Sequence, residues 1–303
     1  MIDMVSLKQL RYFDAVAKAG HFGKAAERCS VTQPALSMQI QELEKSLGIQ
    51  LLERSRGGVL LTEGGREIAQ RVARVLGDVR DIVDFARRQS GVLSGPLGFG
   101  VIPSVAPYIL PRLLPMVRDA FPDLDLHIRE SQTQSLISEL IEGQLDVLML
   151  ALPLEHPDIE TLRLFDDRFL LAMAKSHRMS SRVRATPDIL EGERLLLLEE
   201  GHCLRDQALT FCSLQRIDNI NTLGASSLST LVQVVANGLG MTLLPEIAVP
   251  LETRHGDIHL VRFADPEPQR VIGLAWRKSS PRKRQFAELG ELIAAAAKTG
   301  LQQ

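Results

Sequence analysis

The sequence predicts a multidomain α+β protein: an N-terminal helix-turn-helix with a small wing, a long linker helix, and a C-terminal α/β domain of two subdomains around a cleft. Three observations carry this. Residues 1–62 hold short amphipathic helical stripes followed by a hairpin pattern, residues 63–90 carry a heptad seam, and residues 91–303 alternate short apolar runs with helix-length segments.

Composition agrees with that size of fold. The 303 residues are 45% hydrophobic and 24% charged, enough apolar mass for two or three cores, and this excludes a disordered or fibrous chain. The longest apolar runs, Val147 to Leu152 and Leu292 to Ala297, fall far short of the ~18 to 20 residues of a membrane span. Asp3, Lys8, Arg11, Asp14 and Lys18 interrupt the start where a signal peptide needs an apolar stretch, so a soluble, cytoplasmic protein with no membrane partner is expected. Three cysteines exclude a secreted disulfide scaffold. The net charge of −2 hides a split: residues 1–90 hold 14 basic and 11 acidic side chains, net +3, against 21 and 26, net −5, in the remainder. Different partners are expected for the two parts.

The elements follow in order. Leu7, Leu10, Phe13 and Ala17 predict a first helix, and a short second one runs from about Phe22 to Cys29 with Ala25, Ala26 and Cys29 inward. After a turn at Ser30-Val31, Thr32 is the expected N-cap of a third helix, with Pro34 tolerated in its first turn. Leu36, Ile40, Leu43 and Leu47 give that helix one apolar face, and Gly48 ends it. Leu51 to Leu61 reads as a hairpin turning at Gly57-Gly58. From Thr62 to about Arg88, Ile68, Val72, Val75, Val79, Ile82 and Ala86 form an a/d seam that would leave a lone helix wet, so a dimer is inferred. Residues 90–96 form the linker. Beyond it the alternation predicts parallel sheets, and crossings near Phe165 to Asp167 and Asp265 to Pro268 divide the domain into subdomain I, about 91–165 and 269–303, and subdomain II, about 166–268. The basic run Arg277, Lys278, Arg282, Lys283 and Arg284 reads as a solvated helix start.

A helix-turn-helix lays its second helix in the major groove. The exposed side of that helix offers Thr32, Gln33, Pro34, Ser37, Met38 and Gln41, hydrogen-bonding types suited to base edges and phosphates, and the wing adds Arg54 and Arg56. The run from Thr32-Gln33-Pro34-Ala35-Leu36-Ser37 to Leu43-Glu44, with Leu51-Leu52-Glu53-Arg54 and Leu61-Thr62-Glu63-Gly64-Gly65, resembles the N-terminal domain of LysR-type transcriptional regulators. Gly238-Leu239-Gly240-Met241-Thr242-Leu243-Leu244-Pro245 is similar to their effector domain. The resemblance implies a winged helix-turn-helix and a dimerising linker helix. It also implies two Rossmann-like subdomains of the periplasmic-binding-protein type, a tetrameric assembly, and double-stranded promoter DNA and RNA polymerase as partners.

Cys203 and Cys212 stand nine residues apart. If the segment between them is helical, their Cα atoms lie about 13.5 Å apart along the axis on opposite faces, whereas a disulfide needs about 7 Å or less. A bond there would require unwinding. A helix start with His202 before and Arg205 after is a setting that favours thiolate. Two packing cysteines, a redox pair, and a zinc site short of a fourth ligand all remain open on these residues alone. Gly201-His202-Cys203-Leu204-Arg205-Asp206-Gln207 with Cys212 beyond it resembles the OxyR type, the hydrogen-peroxide sensors of the LysR family. That resemblance implies a peroxidatic Cys203 and a resolving Cys212 joined in a reversible disulfide, reset by a cellular thiol. It places Ser104, Thr133, His202, Arg205, Asp206 and Arg270 around the peroxide. Ser104 stands where the group often has Thr. No metal, cofactor or turnover enzyme activity is expected. The competing readings are a regulator whose cleft takes a small organic anion and a thiol peroxidase.

Overall fold

A computed structural model describes residues 5–55, 58–87, 93–177, 184–186, 193–214, 220–222, 225–254 and 257–301. The chain divides into two units, 1–89 with 141–144, and 90–140 with 145–303.

In the first unit, α1 (Leu7–Ala19) begins at Ser6, whose side chain accepts from the Gln9 N–H while Gln9 accepts from the Ser6 N–H. Gly20, at φ 59°, ends it in the left-handed conformation. The buried face is Gln9, Tyr12, Phe13 and Val16, and Leu7 is exposed. The stripe is thus rotated from the expected one, because Tyr12 and Val16 fill the core next to Phe13. α2 (Phe22–Arg28) starts at His21, whose Nδ1 accepts from the Gly23 and Lys24 N–H groups. α3 (Gln33–Leu47) buries Leu36, Ile40 and Leu43, as its spacing requires; Thr32 holds the cap position but its side chain makes no capping bond. Strands β1 (Leu52–Ser55) and β2 (Gly58–Leu61) pair antiparallel as the wing. Cys29 lies half-buried against the core built on Phe13, Leu36 and Leu51. In α4 (Glu63–Arg87), Val72 is buried and Ile68 half-buried against this same core, whereas Val75, Ile82 and Val83 are exposed. Part of the heptad seam therefore packs on its own chain.

The second unit runs β3 (Gly95–Val101), α5 (Ala106–Ala120), β4 (Leu124–Glu130), α6 (Thr133–Ile141), β5 (Val147–Leu152) and β6 (Ile159–Ala174). It continues with β7 (Leu195–Leu197), α7 (Cys203–Leu214), β8 (Ile220–Thr222), α8 (Leu228–Ala236), β9 (Thr242–Pro245) and a 3-10 turn (Glu246–Ala248). The last elements are α9 (Val249–Glu252), β10 (Ile258–Arg262), β11 (Gln269–Arg277) and α10 (Lys283–Leu301). β3 is parallel to β4 and β5, as expected of βαβ units, but β11 is antiparallel to both β5 and β6. The sheet is therefore mixed rather than parallel.

The expected crossing at Phe165 to Asp167 is the middle of one 16-residue strand. The first part of β6 pairs with β11, and from Phe169 onward it pairs with β9 and β10 instead. A single strand thus belongs to both halves of the α/β architecture. The basic run is also corrected. Arg277 and Arg282 are buried: Arg277 Nη1 donates to the Leu140 and Leu145 carbonyls at 2.8 and 2.7 Å, and Arg282 donates to those of Pro96 and Ser94 at 2.9 and 3.1 Å. These two cations satisfy backbone acceptors that secondary structure leaves over. Lys278 and Arg284 stay exposed, as a solvated start requires.

Candidate functional site

Three chain segments meet around a narrow crevice. The loop leaving β3 supplies Ser104, the first residue of α6 is Thr133, and α7 begins at Cys203 with His202 just before it. Gly201 makes the approach possible. Its φ is +90°, a conformation that residues with a Cβ rarely adopt, so a substitution there strains the turn that leads into α7 and crowds the Gln132 side chain. Two polar atoms in this pocket are buried without a hydrogen-bond partner, Thr133 Oγ1 and His202 Nε2, the latter 3.9 Å from the half-exposed Glu199 carboxylate. A buried polar atom left without any partner costs about 1 to 3 kcal/mol, so both atoms are suited to pair with a water or a small ligand in the pocket.

Arg270 stands one layer behind. Its Nη1 donates to Ser104 Oγ at 2.8 Å, its Nη2 to the Ser104 carbonyl at 3.0 Å, and its Nε to Asp167 at 2.8 Å. Both side chains of this ion pair are fully buried. Burial pushes the Asp167 carboxyl above its ordinary range, against the charge of Arg270 and the N–H of Ile247, which donates to it at 3.1 Å. Arg270 therefore orients Ser104 rather than lining the pocket. Asp167, from the middle of β6, is a residue behind the pocket that the sequence does not single out, because Phe165 to Asp167 reads as a crossing between subdomains. Arg205 and Asp206 do not line the pocket either. Arg205 turns to Glu200 and Asp206 at 3.5 and 3.8 Å, and the Asp206 side chain is 68% exposed. Cys212 lies in the last turns of α7, nine residues beyond Cys203 in an unbroken helix.

A wider cleft of about 410 Å3 adjoins, sharing Ser104 and His202 and adding Tyr108, Glu130 and Ser226 to Ser229. At its edge the Tyr108 hydroxyl and Ser229 Oγ both donate to Glu252 Oε1 at 2.7 Å. Burial, together with that carboxylate, pushes the Tyr108 phenol far above its usual range.

On the first unit, Thr32, Gln33, Pro34, Met38 and Gln41 are exposed along the start and outer face of α3, with Ser37 half-buried among them. Arg54 lies on β1; Arg56 falls outside the described residues.

A three-helix head with a two-stranded wing, followed by an α/β domain with a mixed sheet, is the architecture of a bacterial regulator. Residues 7–66 match the bacterial regulatory helix-turn-helix proteins of the lysR family, and residues 90–298 match the LysR substrate binding domain. The chain belongs to the LysR family. Among its relatives is the DNA-binding transcriptional dual regulator OxyR of Escherichia coli, 41% identical over 291 residues, 96% of this chain and 95% of that protein. Full-length OxyR from Pseudomonas aeruginosa superposes with a TM-score of 0.80 at 36% identity, covering 95% of this chain and 94% of that one. A hydrogen-peroxide-bound mutant of Corynebacterium glutamicum OxyR gives 0.69 at 37% identity, covering 98% and 94%. Among the described residues, no helix is long and apolar enough to cross a membrane.

Proposed function

We propose that this chain is a DNA-binding transcriptional regulator of oxidative-stress genes that senses hydrogen peroxide through Cys203 and Cys212. The observation that carries the reading is the pocket in which Cys203 meets Ser104, Thr133 and His202, two of them with unpartnered polar atoms. The Cys203 thiolate attacks one peroxide oxygen, the O–O bond breaks, and the leaving hydroxide takes up a proton to become water, with hydroxyl donors stabilising its charge. Cys203 is left as sulfenic acid. The Cys212 thiol then attacks that sulfur, a second water leaves, and the disulfide remains, to be reduced by a cellular dithiol. Because α7 keeps the two cysteines apart, the second step requires unwinding, and this couples oxidation to a change of fold.

The exposed Val75 and Ile82 on α4 support self-association as a dimer, and pairs of dimers would carry four reading heads to promoter DNA and RNA polymerase in the cytoplasm. The organic-anion reading has the adjoining cleft in its favour, but that lining carries Glu130 and no arginine or lysine. Mass spectrometry after stoichiometric peroxide tests the proposal: a Cys203–Cys212 crosslink and a changed DNase footprint on the protein's own upstream region are expected. Protein oxidised elsewhere, or not at all, overturns it.

A further inference from the structure

On the recognition helix, Ser37, Gln41 and Glu44 follow at i, i+4 and i+7 and share one face. An acidic residue on a face that meets phosphate is unfavourable by simple charge repulsion. Its surroundings explain its presence. Glu44 Oε1 accepts from the backbone N–H of Leu51 at 2.8 Å and of Leu52 at 3.2 Å, the two residues that lead into wing strand β1. The same three helix residues and Leu52 line a groove between α3 and the wing. The far end of the wing is tied separately, by the Val59 N–H donating to the Gly20 carbonyl at 2.9 Å.

We infer that Glu44 is a positioning residue for DNA recognition: its carboxylate clamps the root of the wing to the recognition helix and so sets the spacing between Gln41 and Arg54, two residues along β1 from Leu52. The wing's register is set by the β1–β2 ladder and its root is also held by Thr62, whose N–H donates to the Leu51 carbonyl at 3.0 Å; Glu44 is the tie that runs from that root to the recognition helix. The inference rests on the DNA-binding reading above.

The clamp and the charge make opposite predictions. Removing a negative charge from a DNA face raises affinity, whereas removing the clamp lowers it. Glu44→Gln keeps an oxygen that accepts both N–H groups, and Glu44→Ala keeps none. Binding of the full-length protein to a duplex of its own upstream region, titrated from low to moderate salt, is expected to show wild type and E44Q within about threefold of each other. E44A should be about tenfold weaker, with a salt slope lower by about 1, the mark of one lost phosphate contact. Arg54→Ala should cost wild type that same contact and cost E44A almost nothing. The clamp is overturned if E44A keeps the wild-type slope, or if R54A costs as much in both backgrounds. Should E44A not fold, Glu44→Asp, one methylene too short to reach both groups, is expected to give the same lowered slope, and an unchanged slope there overturns the clamp equally. Loss of duplex binding by wild type itself sinks the DNA reading instead, independently of any Glu44 variant.

Discussion

If oxidation unwinds α7, residues that stabilise the helix in the reduced protein oppose the disulfide, and weakening them must shift its potential. Leu204 and Ala208, at i and i+4, are 4% and 1% exposed and anchor the helix to the domain. Leu204→Ala removes a buried side chain whose loss typically costs 2 to 5 kcal/mol. A cost of about 2.8 kcal/mol, borne by the reduced form alone, makes the two-electron potential more negative by about 60 mV, since 30 mV corresponds to about 1.4 kcal/mol. Ala208→Gly carries a helix penalty of about 1 kcal/mol, hence about 20 mV in the same direction. The sign is fixed by which state is weakened: a destabilised reduced form is oxidised more readily and gives its disulfide up less readily. Equilibrating each variant in dithiothreitol buffers of graded potential and quantifying free thiols by alkylation measures both shifts. Potentials equal to wild type, or shifted upward, would mean that α7 keeps its packing after oxidation, and the unwinding step would have to be abandoned.

Two further changes separate chemistry from stability. Thr133→Val removes a hydroxyl that has no partner among the described residues; it should raise the melting temperature by a few degrees while slowing oxidation of Cys203 about tenfold to a hundredfold by rapid-quench alkylation. Slower oxidation with no gain in stability would show that the hydroxyl is paired in solution. Asp167→Ala leaves the Arg270 guanidinium buried without its carboxylate, so chemical denaturation of the reduced protein should show a loss of about 3 to 5 kcal/mol, and a loss under 1 kcal/mol would show that water reaches the pair.

The reading head was legible because its signals are local. The spacing of Leu36, Ile40 and Leu43 is buried as written, and the two strands expected of the wing pair antiparallel. What the sequence concealed depends on partners far along the chain. Phe165 to Asp167 reads as a crossing between subdomains, since carboxylates disfavour strand interiors, yet Asp167 is held within β6 by Arg270, 103 residues away. Arg277 and Arg282 looked solvated because nothing local marks an arginine that will cap carbonyls of Leu140 or Pro96. Strand direction was equally hidden: apolar runs look alike whether their neighbours run with them or against them. The candidate pocket was half legible. Ser104, Thr133, His202 and Cys203 meet, while Arg205 and Asp206, adjacent to the cysteine in sequence, point out of it, because a helix sends successive residues about 100° apart.

That arrangement bears on how a small neutral oxidant could be handled in this pocket. Arg270, the nearest buried positive charge behind the pocket, is committed to Asp167, and its remaining donors hold Ser104. Charge developing on a leaving hydroxide would meet the hydroxyls of Ser104 and Thr133 and the N–H groups opening α7. A pocket stabilised that way favours a ligand that both donates and accepts hydrogen bonds, as peroxide does, over a carboxylate, which only accepts. Thr133 Oγ1 and His202 Nε2 are buried in that pocket with no partner among the described residues, so on the proposed reading a peroxide that pairs with both would be held beside Cys203.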